Sequence, residues 1–336
     1  LLSWVGGQSG LLWGGGPYPL EIRDAIRYEL HQAQGSYGHV AEWLLADALG
    51  EALDGVFTSD TLACRFYQDG GTALAAAARL ARHATGRFLI ASCGYHGAAE
   101  EWAHDPGSRG ILRDAIDMHS HFEWGSLRLP FDMSEYAAIC VEVPAVQDDD
   151  AREFLRVVRQ ACNDSGAIFI LDEVVTGFRL GLKGAAGYYG VKPDIACYGK
   201  AMSATGCVSA VVGRADLVDA IGGDVFLSTT FGGSPGPCSV AAATVKWLTD
   251  NPQAFDEIHA TGKVLMDGLR GLGLTVIGQP ERSVVTFPTD AEWLAWCGQM
   301  IERGVMCHRP QFVSLNHTDS DINFTLRQAA EIAGVR

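Results

Sequence analysis

Apolar positions along this chain follow two rhythms, and the two alternate. Helical spacing appears at Ile22, Ala25, Ile26 and Leu30, again across residues 40–53, and again across 74–84. Short β-branched or apolar runs follow at 88–91, 138–142, 167–171, 195–198 and 208–212, with an acidic-started helix predicted over 149–162. This alternation is the βαβ signature, and it predicts an α/β fold with a mostly parallel sheet flanked by helices. A further apolar-striped helix, 238–248, leads to a terminal portion with its own helices (256–272 and 291–303) and short strands (274–277 and 282–287). Asn251-Pro252 marks the boundary. The expected organisation is an amino-terminal segment (1–35) that belongs to the smaller domain, a large domain (36–250) and a small α+β carboxy-terminal domain (251–336).

Composition narrows the partners. At 336 residues the chain is long enough for one large domain and a smaller one. A net charge of −15 argues against nucleic acid and against an anionic membrane surface. Nine cysteines without CxxC spacing read as reduced thiols in a cytoplasmic setting. No apolar run approaches the roughly 18 residues needed to span a membrane. His119-x-His121 lacks a third ligand nearby, so a solvent-facing loop is expected there and no metal.

Two strand ends hold the candidate chemistry. The run ending at Leu171 stops in Asp172 and Glu173, and the run ending at Tyr198 stops in Gly199 and Lys200. Ligands of open α/β sheets sit outside the carboxyl ends of the strands, so a carboxylate and an amine there can face one bound molecule. Each residue alone would read as a strand cap or a surface amine. Together with the flanking text, LDEVVTGFR and GVKPDIACYGK, they resemble the class III aminotransferases, pyridoxal-phosphate (PLP) enzymes of fold type I. The strongest family likeness is to glutamate-1-semialdehyde 2,1-aminomutase.

That resemblance implies a set of roles. Lys200 would form a Schiff base with the PLP aldehyde, and Asp172 would keep the pyridine nitrogen protonated. QDGGTALAAAARLAR resembles the phosphate cup, in which a glycine turn opens a helix and offers unpaired N–H groups to an anion, here at Gly70, Gly71 and Thr72. Two registers are compatible. Without a gap Asp69 takes the usual serine position, and its carboxylate is then expected to turn away from the phosphate as an N-cap. Tyr95, in CGYHG, would stack on one ring face and Val174 would pack on the other, although Val174 could equally be core. His96 is as readily loop packing as a cofactor contact. Glu142 is either pocket floor or a structural carboxylate. Thr230, with Thr229 as the fallback, would reach the phosphate of a neighbouring subunit and so require a homodimer.

The resemblance runs through nearly the whole chain, with departures. The opening SWVGGQSGLLWGGGPYP lacks the family's histidines, Gln8 falls where the aminomutases have a tryptophan, and the chain begins without methionine and is short for the family. A carboxylate-bearing substrate would favour an arginine fork, for which Arg309 and Arg23 are candidates, both equally readable as surface residues. The expected activity is PLP-dependent transfer of an amino group between an amine or amino acid donor and a keto or aldehyde acceptor. The alternatives are an intramolecular aminomutase and a non-catalytic PLP-binding homologue, and the latter would have no need of Lys200.

Overall fold

The computed structural model describes residues 2–3, 12–13, 17–29, 38–102, 110–126, 132–145 and 151–334. Gln8, Leu30 and Asp149 lie outside these. In chain order the elements are β1 (Leu2–Ser3), α1 (Leu20–Glu29), α2 (Val40–Ala52), β2 (Leu62–Tyr67), α3 (Gly70–Thr85), β3 (Leu89–Cys93), α4 (Arg113–Asp117) and β4 (His119–His121). There follow β5 (Tyr136–Glu142), α5 (Ala151–Ser165), β6 (Ile168–Glu173), α6 (Gly184–Tyr189), β7 (Ile195–Tyr198), β8 (Ser209–Arg214), α7 (Ala215–Val218) and α8 (Pro235–Asp250). The last are α9 (Gln253–Gly271), β9 (Thr275–Ile277), β10 (Arg282–Thr286), α10 (Asp290–Glu302), β11 (Val305–Met306), β12 (Pro310–Phe312) and α11 (Asp319–Ala333). Among the described residues no helix is long and apolar enough to cross a membrane.

The chain divides into two compact units. The larger comprises residues 19–143 and 149–250. Its seven-stranded sheet has the order β2-β8-β7-β6-β5-β3-β4, and β8 alone runs against its neighbours. Every residue of β6 and β7 is buried, as parallel strands covered on both faces require. The helix on one face is α3, whose Ala73, Ala76, Ala77 and Ala81 are fully buried against Ala138, Cys140, Ile170, Cys197 and Val211. Small side chains let the helix axis approach the sheet, and Leu74 and Leu80 fill the remaining space. Gly86, at φ 68°, ends the helix in a left-handed turn.

At the amino end of the parallel strands, Asp194 ties four elements together. Its buried carboxylate accepts hydrogen bonds from Thr58 Oγ1 (2.9 Å), Arg159 Nη1 (2.8 Å), Arg214 Nη1 (3.4 Å) and the Phe169 N–H (2.9 Å). The opposite end of the sheet is thereby left free of this network.

The smaller unit comprises residues 1–18, 144–148 and 251–336. It carries the antiparallel sheet β12-β10-β9 and the parallel pair β1-β11. Capping boxes, Thr289 with Glu292 and Thr318 with Asp321, open α10 and α11. Arg282 is fully buried and donates to Gln279 Oε1 (3.0 Å) and the Pro144 carbonyl (3.1 Å).

One expectation is corrected here. His119-x-His121 is the edge strand β4, and no exposed loop: His119 is buried and its Nε2 lies 2.8 Å from Ser92 Oγ. The paired strand β3 covers it, which a three-residue polar segment does not announce. No metal-binding cluster occurs among the described residues.

Removing one partner of a buried ion network strands the others. Asp194→Ala is therefore expected to cost about 3 kcal/mol of stability, read as a lower urea midpoint.

Candidate active site

The carboxyl ends of β5, β6 and β7 and the first turn of α3 converge on a cleft of about 400 Å³. Its lining includes Asp69, Gly70, Gly71, Tyr95, His96, Glu142, Asp172, Val174, Lys200 and Ser209. Thus Asp172 and Lys200 share one cavity with residues from four other stretches of chain, around 68–74, 95–98, 142 and 206–209. Gln68 and Ser209 were not anticipated. Gln68 follows β2, which the sequence patterning had not revealed.

Neighbouring residues of a strand point to opposite faces, and this separates the two carboxylates that end β6. Asp172 stands in register with Glu142 and Cys197. It is 2% exposed, and both its oxygens are held. Oδ1 accepts the Val174 N–H at 3.0 Å, and Oδ2 lies 2.8 Å from His96 Nδ1. The His96 ring is buried beside Trp102, centroids 5.0 Å apart. Burial first, and then the Asp172 charge, hold the thiols of Cys140 and Cys197 well above the ordinary range. Both stay neutral.

Glu173 faces the other way and is structural. It accepts the N–H groups of Ala185 (2.9 Å) and Ala186 (2.8 Å), capping α6, and the hydroxyl of Thr176. Burial raises its pKa against the pull of those bonds.

Lys200 opens a short 3-10 turn directly after β7 and is half-buried at φ 44°. A left-handed conformation for a residue with a Cβ carries strain on the order of 1 kcal/mol, and such strain clusters at working sites. The segment before it is packed hard: a Cβ at Gly199 would meet Ser209 Oγ at 2.7 Å.

The first turn of α3 is capped by a side chain. Asp69 is the N-cap, and Thr72 stands three residues on. Oδ1 of Asp69 accepts the Thr72 N–H (2.9 Å) and Oδ2 accepts the Thr72 hydroxyl (2.8 Å). Asp69 thus caps the helix as expected, but it is not turned away: it lines the cleft. Thr72 is turned onto Asp69 and does not line the cleft, whereas Gly70 and Gly71 do. Gly70 is required by crowding, since a Cβ there would lie 2.8 Å from both Val174 methyls.

The loop carrying Tyr95 is fixed through its backbone. Glu142 Oε2 accepts the Tyr95 N–H at 3.0 Å. Gly97, at φ 95°, brings that loop onto the Gly71 backbone, where a Cβ would be only 3.1 Å away. The Tyr95 side chain is 72% exposed. Thr230 is exposed and Thr229 half-buried, and neither lines this cleft. Arg309 pairs with Asp290 and lies 4.9 Å from the Trp293 ring centre, and Arg23 is exposed.

Comparison with known proteins gives the family. The profile of the family described as "Aminotransferase class-III" matches residues 134–279. Glutamate-1-semialdehyde 2,1-aminomutase of Deinococcus deserti is 31% identical over 325 residues, spanning 80% of this chain and 74% of that protein. The enzyme of the same name from Alkaliphilus oremlandii is 29% identical, spanning 80% and 72%. Among solved structures, an omega-transaminase from Sphaerobacter thermophilus is similar at a TM-score of 0.85 and 20% identity, covering 99% of this chain and 86% of that one. The FumI protein of Sphingopyxis sp. MTA144, solved in its PLP internal aldimine form, is similar at 0.81 and 24% identity, covering 95% and 81%. This chain belongs to the class III aminotransferases. It is a fold type I, PLP-dependent enzyme of amino-group transfer.

The crowding at Gly70 is directly testable. Gly70→Ala should cost about 1–2 kcal/mol despite alanine's better helix propensity, because the added methyl overpacks against Val174. Combined with Val174→Ala, the loss measured by urea unfolding should be smaller than the sum of the single changes.

Proposed function

We propose that Lys200 is the amine that joins PLP covalently to the protein and then moves the proton during amino-group transfer. The observation that carries this reading is the presence of Lys200, in a strained backbone conformation, in one cleft with the buried Asp172. The residues present fit the cofactor. Asp172 offers a buried acceptor of fixed orientation for a protonated ring nitrogen, because Val174 N–H and His96 already hold it in place. Gly70 and Gly71 leave backbone N–H groups open toward the cleft for the phosphate, and Thr72 contributes only indirectly. Tyr95 and Val174 stand ready for the two ring faces. His96 and Glu142 serve by position, the first on Asp172 and the second on the Tyr95 loop.

Bound PLP supplies an electron sink for charge developing at the substrate carbon. The chain does the rest. Lys200 would hold the cofactor, and when a substrate amine takes its place its Nζ would be the group that takes the proton from one carbon of the substrate and returns it to the next. Asp172 keeps its hydrogen-bond partners throughout, so no reorganisation is needed at that end.

The transfer runs between an amine or amino acid donor and a separate keto or aldehyde acceptor. A second reading, the intramolecular aminomutase, is favoured by the names of the curated relatives. The two differ in whether one substrate turns over alone. The working form is a homodimer. Exposed Thr230, or half-buried Thr229, would reach a partner's phosphate, and Val40, Trp43 and Leu44 of α2 with Phe231 leave large apolar side chains open to solvent. All nine cysteines are free, which supports a reducing, cytoplasmic setting.

With PLP added, the protein should develop the visible absorbance band of covalently joined cofactor, and Lys200→Ala should bind PLP without that band. A band retained in the variant would assign the wrong lysine. A panel of amines with and without pyruvate or 2-oxoglutarate distinguishes the transferase, which needs the acceptor, from the mutase.

A further inference from the structure

The first turn of α3 carries an anion of its own. A helix leaves its first N–H groups without intrahelical partners, and those groups together with the helix dipole make the place where a phosphate binds. Here Asp69 has already taken one of them. Its two carboxylate oxygens hold the N–H and the hydroxyl of Thr72 at 2.9 and 2.8 Å, so Gly70 and Gly71 are the donors left over. The carboxylate is also close to those donors, since a Cβ at Gly71 would stand 3.3 Å from Oδ1. It is exposed and lines the same cleft as Lys200.

The charges around it do not offset this anion. Among the described lining residues the other ionisable groups are Glu142 and Asp172, both carboxylates, together with His96, Tyr95 and Lys200. His96 is committed to Asp172 through Nδ1, and the Lys200 amine is the group assigned above to the cofactor aldehyde. No arginine stands in this part of the lining.

We infer that Asp69 sets the cofactor-phosphate affinity of this enzyme: its carboxylate competes with the phosphate for the first turn of α3, so PLP is held loosely and the phosphate contributes little to binding. The inference rests on the reading of the cleft as the PLP site. Like charges within a few ångströms of each other, at a solvent-accessible site, cost enough to shift a binding constant at least tenfold. The loss falls only on ligands that carry the phosphate.

Asp69→Asn tests this cleanly, because asparagine is as good an N-cap as aspartate and nearly the same size, so the helix start is retained while the charge is removed. Asp69→Ser is a second neutral cap that guards against a local effect of the amide. Binding of PLP and of pyridoxal, which lacks the phosphate, is measured by spectrophotometric titration for each chain, with urea midpoints confirming the fold. The expected result is a PLP dissociation constant about tenfold or more lower in both variants, with pyridoxal unchanged within about twofold. Unchanged or weaker PLP binding, or an equal gain for both ligands, would overturn the role given to Asp69. If no chain develops the visible band with PLP, the Lys200 reading itself falls.

Discussion

Asp172 is the constraint around which the site is built. A carboxylate buried at the end of a parallel strand is costly unless its lone pairs are used, and here one oxygen takes a backbone N–H two residues on while the other takes an imidazole. Both partners are themselves fixed. Val174 is wedged against the first turn of α3, and the His96 ring is packed beside Trp102 in the interior. The direction of this one charge is therefore set by the strand, the loop after β3 and the helix together. Two buried thiols nearby stay protonated because burial and that same negative charge both oppose a second anion.

The sheet explains why an acid and an amine distant in sequence meet. Strands β5, β6 and β7 run parallel, so their carboxyl ends lie side by side, and Glu142 and Asp172 at two of those ends and Lys200 just past the third line the same cavity. The pleat then sorts the candidates. Asp172 turns toward α3 and the cleft, while Glu173 turns away and caps α6. Crowding is the means of alignment throughout: Gly70 on Val174 and Gly97 on Gly71 are close approaches that a single added methyl would spoil.

Much of this was legible in the residues. Five central strands and the long helices announced themselves, the four parallel strands β3, β5, β6 and β7 because strands covered on both faces are near-continuous apolar runs. Asp172 and Lys200 stood out at the ends of two such runs, but only the flanking text, through its resemblance to a family, suggested roles for them. Several short or mixed elements were not legible, among them β2, β4 and α11. Strand β2 (LACRFY) is half-buried along most of its length and mixes arginine with aromatics, which blurs any period. Strand β4 is three residues long, and its histidines read as exposed until β3 is placed beside it. Helix α11 buries only Ile322, Thr325 and Ala329, too narrow a stripe to stand out, although the Thr318–Asp321 capping box was there to be read. At the glycine turn that opens α3 the sequence did not show that Asp69 would hold both the N–H and the hydroxyl of Thr72.

The account turns on Asp172 holding a proton on the cofactor ring, with His96 orienting it. The most direct measurement is the nitrogen-15 resonance of PLP labelled at the pyridine nitrogen and bound to the intact enzyme. The account predicts a protonated ring nitrogen wherever the protein is folded, and loss of that signal position in Asp172→Asn. A free-base nitrogen in the unaltered enzyme, or a resonance that does not move in the variant, would contradict it.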